Sequence, residues 1–182
     1  MALTAEQQEI WDSLRNSKNR HSFKDEIRHK PEDTAFESPG VYTIWEGKKP
    51  IYIGIATLSR PDGAAQRRLW GLKDRLESHR RGRISGSSLA IAVWFCRIAP
   101  KLSKKEHLEI GRGKKSPSAY TENFIRELHY SHHKVPKKDL HSVESALCRK
   151  IKPELNEWQD FISRDTQVRS KQMRLKENTR SS

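Results

Sequence analysis

Short apolar runs divide the central part of the chain into predicted strands. Residues 40–45 and 51–55 are rich in β-branched and aromatic side chains, and a short polar segment that contains Gly47 separates them. This pattern predicts an antiparallel hairpin. Residues 89–99 form the densest apolar run of the chain, and they predict a third strand that is buried at the centre of the sheet.

Apolar residues at helical spacing predict four helices. These cover residues 5–15, 66–81, 119–131 and 139–152. Gly82 follows the second helix, which is strongly basic, and predicts its end. The polar and basic residues 101–117 are expected to form a loop. From residue 40 onwards the order β-β-α-β-α-α indicates an α/β (α+β) fold, with a small, mostly antiparallel, three-stranded sheet flanked by helices.

The same pattern predicts one packed domain with two appendages. Residues 37–163 carry most of the apolar side chains and are numerous enough to bury one core. Residues 1–36 are expected to be an N-terminal helical arm and linker, because a single apolar stripe is followed by a polar stretch. Residues 164–182 are basic with almost no apolar side chains, so we expect a flexible tail.

Composition indicates a partner and excludes several classes of protein. Lys and Arg number 36 against 23 Asp and Glu, a formal net charge of +13. This surplus favours a polyanionic partner, nucleic acid before an acidic protein or a membrane surface. No apolar run approaches the ~18 residues that span a bilayer. Two cysteines cannot form a disulfide framework or a cysteine-rich zinc site. The first residues lack the pattern of a secretory signal, and we expect a reducing, cytoplasmic setting.

Glu144 is the least ordinary residue of the predicted helix 139–152. It lies on the same helix face as the apolar residues Leu140 and Leu147. A carboxylate that faces inward is costly unless it is paired or binds a metal. The sequence therefore leaves two interpretations open: a buried salt bridge with an arginine, or a metal ligand at the floor of a cleft.

Two pairs of residues also have both an ordinary and a chemical interpretation. Arg75 and His79 are four residues apart and share one face of the second helix. They form either a solvated basic face or a phosphate clamp beside a proton carrier. Tyr42 and Tyr52 occupy equivalent positions on the two hairpin strands, either as ordinary strand aromatics or as two hydroxyl groups on one side of the sheet.

The order of these residues resembles that of a known family. The chain contains, in sequence, Gly40-Val41-Tyr42, Tyr52-Ile53-Gly54, Arg75, His79, Glu144 and Asn156. This constellation resembles the GIY-YIG nuclease family, with Val41 in place of the usual isoleucine, and it is most similar to the restriction-endonuclease branch. The resemblance covers residues 39–157. Within it, the segment 56–70 is longer than its counterpart in the smallest members of the family.

The resemblance implies a metal-dependent DNA endonuclease that hydrolyses phosphodiester bonds in a site-specific restriction or defence system. It implies one Mg²⁺ or Mn²⁺ ion per active site, held by Glu144, and a scissile phosphate held by Arg75. By analogy, Tyr42 takes the proton of the attacking water. Either Tyr42 is the final proton acceptor, or it passes its own proton to His79.

Tyr52 and Asn156 complete the implied catalytic set. Tyr52 would bond water or phosphate, and Asn156 would position the metal-site helix or a phosphate. Double-stranded DNA is the implied partner, and basic residues on both sides of the cleft are expected to follow its backbone. These DNA-binding candidates are Arg67, Arg68, Lys73, Arg80, Arg81, Arg83, Lys104, Lys105, Arg112, Lys114 and Lys115. A homodimer would fit a symmetric recognition site. Residues 111–116 lack the spacing of a phosphate loop, so no nucleotide cofactor is expected.

Three other interpretations fit the basic character of the chain. The protein could be a structure-specific DNA repair nuclease. It could be a non-catalytic nucleic-acid-binding module on the same fold. It could also be a basic structural or ribosome-associated protein, which would bind RNA without a metal requirement and without cleavage.

Overall fold

A computed structural model of the protein describes residues 2–24, 38–57, 71–85 and 87–157. Within these ranges no helix is long and apolar enough to cross a membrane. The elements are, in chain order, α1 (Ala5–Arg15), β1 (His21–Ser22), β2 (Gly40–Glu46), β3 (Lys49–Ala56), α2 (Leu72–Arg80), α3 (Ser88–Val93), α4 (Lys104–Gly111), α5 (Pro117–Arg126), β4 (His129–Lys134) and α6 (Leu140–Ile151).

The strands form one antiparallel sheet in the order β1-β4-β2-β3. The predicted α+β class is confirmed, but the sheet has four strands where three were predicted. The predicted hairpin is confirmed as β2 and β3, which pair from Gly40 opposite Ala56 to Glu46 opposite Lys49. Gly47 in the turn has a φ of 59°, a conformation that glycine adopts without steric cost.

The predicted central strand at residues 89–99 is wrong, because this segment is helical. It comprises α3, five π-helical residues (Trp94–Ile98) and the beginning of a short 3₁₀ turn. An apolar run cannot by itself distinguish a buried strand from a buried helix. The local signal for a helix was Ser87, whose side chain accepts a hydrogen bond from the Ala90 N–H and caps α3.

The strand that completes the sheet is β4, a segment with three histidines. The predicted helix 119–131 is confirmed only in part, since α5 ends at Arg126 and β4 begins at His129. This strand pairs with β1 on one side and β2 on the other, so its backbone polar groups are satisfied by both neighbours. The tertiary pairing determines its conformation, whereas its own sequence has little strand propensity.

Residues 101–117, predicted to be a loop, contain α4. Ser103 accepts a hydrogen bond from the Glu106 N–H, and the Glu106 carboxylate accepts one from the Ser103 N–H. This reciprocal capping box marks the start of the helix. The Ser-x-x-Glu spacing therefore indicates a helix here, although the polar and basic composition of the segment favoured a loop.

The described part of the first 36 residues packs as part of the domain. α1 has the predicted bounds, and its residues Ile10 and Leu14 are buried against the sheet. β1 adds an edge strand beside β4, and Phe23 is fully buried in the core. The segment predicted to be an arm and linker therefore contributes to the core here. The predicted tail, residues 164–182, lies outside the described residues.

The sheet is buried on both faces. One face carries Tyr42, Ile44 and Tyr52 and packs against α2, α3 and α5. The other face carries Val41 and Ile53 and packs against α1 and α6, the last of which matches its prediction. Neighbouring residues of one strand therefore enter different cores, as the two-residue period of a strand requires.

The residues after α6 fasten the end of that helix to the sheet. Asn156 accepts a hydrogen bond from the Ile53 N–H and donates one to the Ile53 carbonyl, each at 2.8 Å. These bonds satisfy backbone groups of β3 on the open edge of the sheet. Arg97 donates two hydrogen bonds to Glu154, at 2.6 and 2.9 Å, and so ties the π-helical segment to the same stretch.

Gly82 ends α2, as its position in the sequence predicted, and residues 66–70 of the predicted helix lie outside the described residues. Its φ is +58°, and a Cβ atom at this position would collide with the Glu122 backbone in α5. We predict that Gly82→Ala lowers the free energy of unfolding by about 2–5 kcal/mol, through left-handed strain and overpacking together.

Gly113→Ala is the matched control for this prediction. Gly113 has a φ of +70° but open space around the Cβ position, so the variant should lose only the strain, about 1–2 kcal/mol. Urea denaturation of both variants measures the difference. Equal losses would mean that α5 does not constrain the end of α2.

Candidate active site

The hydroxyl group of Tyr42 is the centre of the candidate site. Tyr42 is fully buried on β2, and its Oη lies 2.7 Å from His79 Nε2. The Nε of Arg75 donates to the same oxygen at 3.4 Å. Because Arg75 and His79 are one turn apart on α2, both side chains reach the same phenol. The structure thus brings together three of the residues that the sequence singled out.

Gly54 makes room for this phenol. It lies directly opposite Tyr42 in the sheet, and side chains at paired positions point to the same face. A Cβ atom at Gly54 would lie 2.5 Å from Tyr42 Oη and 2.8 Å from Tyr52 Cε1. The glycine of the second tripeptide therefore allows both tyrosine rings to lie over the strand, with their centroids 6.2 Å apart.

Two serines that the sequence analysis missed complete the hydrogen bonding. Ser87 Oγ lies 2.6 Å from His79 Nδ1. Ser88 Oγ shares a hydrogen bond of 3.1 Å with the Tyr52 hydroxyl and accepts one of 3.3 Å from Arg75. Both serines come directly before the segment that was predicted to be a strand. Because no helix was expected there, the sequence offered no reason to place them at a helix start that faces the site.

Burial sets the protonation of the central pair. It raises the pKa of Tyr42 well above its usual range, with a further increase from Tyr52 and an opposing effect of Arg75. Burial also holds the pKa of His79 well below its usual range, and the charge of Arg75 acts in the same direction. Near neutral pH the phenol is therefore protonated and the imidazole is neutral.

Glu144 lies on α6, in the other layer of the domain, and its charge acts on both Tyr42 and Arg75. It is half-buried, and its carboxylate lies 3.9 Å from His141 Nδ1. Burial raises the pKa of Glu144, whereas the charges of His141 and Arg75 lower it. Within the described part of the chain it forms no ion pair with an arginine, so the salt-bridge interpretation finds no support there.

Asn156 does not join this cluster. Its side chain forms two hydrogen bonds, both with the backbone of Ile53, between Tyr52 and Gly54. It therefore positions the strand that carries Tyr52 and the chain that follows α6. The predicted role of Asn156, to position the helix of Glu144 or a phosphate, stays a prediction.

The donor set around Glu144 fits a hard divalent cation that keeps most of its water. The described residues contain no group of three or more His, Cys, Asp or Glu side chains that could enclose a metal. Mg²⁺ commonly binds through one or two carboxylates, with waters and substrate phosphates as its other ligands. A single half-buried carboxylate, with no arginine bonded to it in the described part of the chain, agrees with that mode of binding.

The DNA-binding candidates on α2 and after it differ in how far their side chains are free to contact DNA. Arg67 and Arg68 lie outside the described residues. Arg80 is mostly buried and donates twice to Glu77 at 2.7 Å, and Arg81 donates to the same carboxylate at 3.1 Å. The guanidinium of Arg80 is thus bonded within its own helix. The side chains that remain half-exposed or exposed here are those of Lys73, Arg81 and Arg83.

The second group of candidates lies on α4 and the turn after it. All five are exposed, but Lys115 is bonded to Glu109 at 2.9 Å, whereas no ion pair is seen for the other four among the described residues. These four are Lys104, Lys105, Arg112 and Lys114. α4 contacts α5 through Glu106 and Tyr120, and α5 in turn packs on α2 and α3. The group is therefore one element removed from the helices that carry the site.

Comparisons with protein families, with curated proteins and with solved structures find no match to this chain. The assignment of a function therefore rests on the chemistry of the site itself.

The buried imidazole predicts a specific pH dependence of stability. His79 has a folded-state pKa well below the ~6.5 of the unfolded chain, so the unfolded state binds more protons as the pH falls below that value. We predict that stability decreases from about pH 6.5 downwards. In His79→Gln, the slope of the free energy of unfolding against pH should fall by up to the equivalent of one bound proton, which is about 1.4 kcal/mol per pH unit.

His107→Gln provides the control for the loss of a histidine, because it removes an exposed imidazole on α4, away from the site. Denaturation at several pH values between 4.5 and 7.5 measures the slopes. An unchanged slope in His79→Gln would show that the imidazole is not held neutral by the fold.

Proposed function

We propose that this protein is a metal-dependent endonuclease that hydrolyses phosphodiester bonds in double-stranded DNA. One observation carries the proposal: a buried phenol, Tyr42, is bonded both to a neutral imidazole and to a guanidinium, and the charge of a half-buried carboxylate, Glu144, acts on the phenol and on the guanidinium. These groups supply a proton acceptor, an anion clamp and a cation ligand in one site. The resemblance of the sequence to GIY-YIG nucleases agrees with this combination.

Proton removal from the attacking water would use Tyr42 and His79 together. Burial disfavours a free tyrosinate, so Tyr42 alone is a poor base near neutral pH. His79 Nε2, 2.7 Å away, can accept the phenol proton as the phenol oxygen takes one from water. Of the two alternatives that the sequence left open, the geometry therefore favours His79 as the final acceptor.

Arg75 would hold the scissile phosphate. Its guanidinium is shared between Tyr42 and Ser88, so its orientation is fixed before substrate binds. A guanidinium can offer two parallel N–H groups to a phosphate and remains charged at every relevant pH. Its charge would also stabilise the phenolate when the proton moves to His79.

Glu144 would hold one Mg²⁺ or Mn²⁺ ion, which when bound stabilises negative charge on the phosphate and on the leaving oxygen. The carboxylate is half-buried and has no arginine bonded to it in the described part of the chain, so it is available to a cation. The charge of Arg75 favours its ionised form, while burial opposes it. A bound cation would therefore remove an electrostatic cost that the fold carries without it.

The net charge of +13 suits a DNA substrate. The exposed and half-exposed cations on and after α2 belong to the helix that carries Arg75 and His79, or directly follow it, and would contact the DNA backbone near the cut. Those of α4 would contact it farther away. Within this class we propose a restriction or defence enzyme that acts inside the cell, in preference to a repair nuclease. A homodimer would place one site on each strand of a symmetric sequence.

Glu144→Gln tests the proposal directly, because it keeps the shape of the side chain and weakens the cation ligand. We predict that cleavage of plasmid DNA in Mg²⁺ falls at least about a hundredfold. DNA binding should be equal to or tighter than that of the wild type, since a negative charge near phosphate is removed. The free energy of unfolding should not decrease, because burial already disfavours the charged form.

Glu157→Gln is the matched control, an exposed glutamate on the segment after α6 that should cleave at the wild-type rate. Plasmid nicking and linearisation, together with binding measured in Ca²⁺, separate catalysis from affinity. If Glu144→Gln unfolds while its folded fraction still cuts DNA, Glu144 is structural and the cation must be held elsewhere.

A further inference from the structure

Ser87 makes two contacts that place it behind the proposed proton acceptor. Its Oγ lies 2.6 Å from His79 Nδ1 and accepts the Ala90 N–H at 3.1 Å. Both Ser87 and His79 are almost completely buried. The chain Tyr42–His79–Ser87 is thus continuous from the phenol to the start of α3. The contact with α3 fixes the hydroxyl independently of the histidine.

The two tautomers of His79 distribute these hydrogen bonds differently. With the proton on Nε2, the imidazole donates to Tyr42 Oη, which already accepts from Arg75. The phenol proton would then have no acceptor among the described residues. With the proton on Nδ1, the imidazole donates to Ser87 Oγ and Nε2 accepts the phenol proton. Each tautomer thus leaves one buried hydroxyl proton without an acceptor among the described residues, that of Tyr42 in the first and that of Ser87 in the second. A phenol is the stronger hydrogen-bond donor of the two, so the second arrangement, which pairs the phenol, is favoured.

We propose that Ser87 is a positioning residue, which holds His79 in the tautomer protonated on Nδ1 and so leaves Nε2 free to receive the proton of Tyr42. The catalytic part of this proposal rests on the proposed nuclease function, whereas the tautomer can be measured without any substrate. Ser87 itself contacts neither Tyr42 nor a reacting atom. It acts through the imidazole, as the partner of the second ring nitrogen does in other histidine-dependent sites.

This arrangement permits a proton transfer in which the proton that Tyr42 loses is the one that His79 gains. The O–H bond of Tyr42 breaks and an N–H bond forms at His79 Nε2, which gives a phenolate and an imidazolium. Ser87 keeps its own proton and accepts the Nδ1–H throughout. The phenolate then takes the proton of the attacking water. The imidazolium keeps the proton it received until the product leaves.

Nitrogen-15 NMR of the full chain tests the tautomer directly, with the His79 signals assigned by their loss in His79→Gln. In the wild type we expect a protonated Nδ1 and an unprotonated Nε2. Ser87→Thr keeps a hydroxyl group and should keep this tautomer. Ser87→Ala removes the acceptor, and the tautomer signals should become mixed or reversed. A wild-type protein protonated on Nε2 would overturn the proposal, whether or not any variant folds.

Cleavage kinetics test the functional consequence. Ser87→Ala should lower kcat by about ten- to a hundredfold with little change in KM for plasmid DNA, and Ser87→Thr should restore most of it. Ser103→Ala removes a helix-capping serine from α4, away from the site, and controls for the loss of a cap. It should lose only the contribution of the cap, and so less stability than Ser87→Ala, which also leaves the buried Nδ1–H without its acceptor, and it should keep the wild-type kcat.

The two hypotheses fail in different ways. If the wild type cuts DNA and Ser87→Ala cuts equally fast, Ser87 has no positioning role although the nuclease function stands. If the wild type shows the expected tautomer but no cleavage with Mg²⁺ or Mn²⁺, the nuclease function fails although the histidine is held as proposed.

Discussion

The burial of the Tyr42 hydroxyl is the constraint on which the rest of the site depends. A phenol oxygen without access to water must find its hydrogen bonds within the protein. Tyr42 finds them on α2, in His79 and Arg75, and the absence of a side chain on Gly54 lets its ring reach them. α2 must therefore lie across this face of the sheet. The same burial keeps the histidine neutral and able to accept a proton.

The two layers of the domain supply different parts of the proposed chemistry. The layer of α2 and α3 provides the proton acceptor and the anion clamp, both linked to the serines at the start of α3. The opposite layer provides Glu144 from α6, whose end is fixed to the sheet edge by Asn156. The central strands determine how far apart these groups lie. In the proposed site, one sheet therefore carries groups that are more than a hundred positions apart in the sequence.

Much of the candidate site could be predicted from the sequence, because its residues lie on strands and helices whose apolar positions follow a regular period. The hairpin and α6 follow from strand and helix spacing, and those patterns place Tyr42 and Tyr52 on neighbouring strands and Glu144 on a helix, as the structure has them. The sequence of α3 is apolar enough to suit either a strand or a helix, and β4 owes its conformation to its neighbours. Ser87 and Ser88 became recognisable only after α3 was seen as a helix, since their role depends on where that helix begins.

Tyr42→Phe provides the most direct measurement of the central claim, because it keeps the packed ring and removes the oxygen that joins His79 to Arg75. Tyr120→Phe is the control, since that hydroxyl bonds to Glu106 of α4. With circular dichroism confirming that each variant is folded, the rate of plasmid cleavage in Mg²⁺ is compared. The account predicts that the wild type and Tyr120→Phe cut DNA, and that Tyr42→Phe is at least about a hundredfold slower. Cleavage by Tyr42→Phe at the wild-type rate, or a wild type that cuts with neither Mg²⁺ nor Mn²⁺, would contradict it.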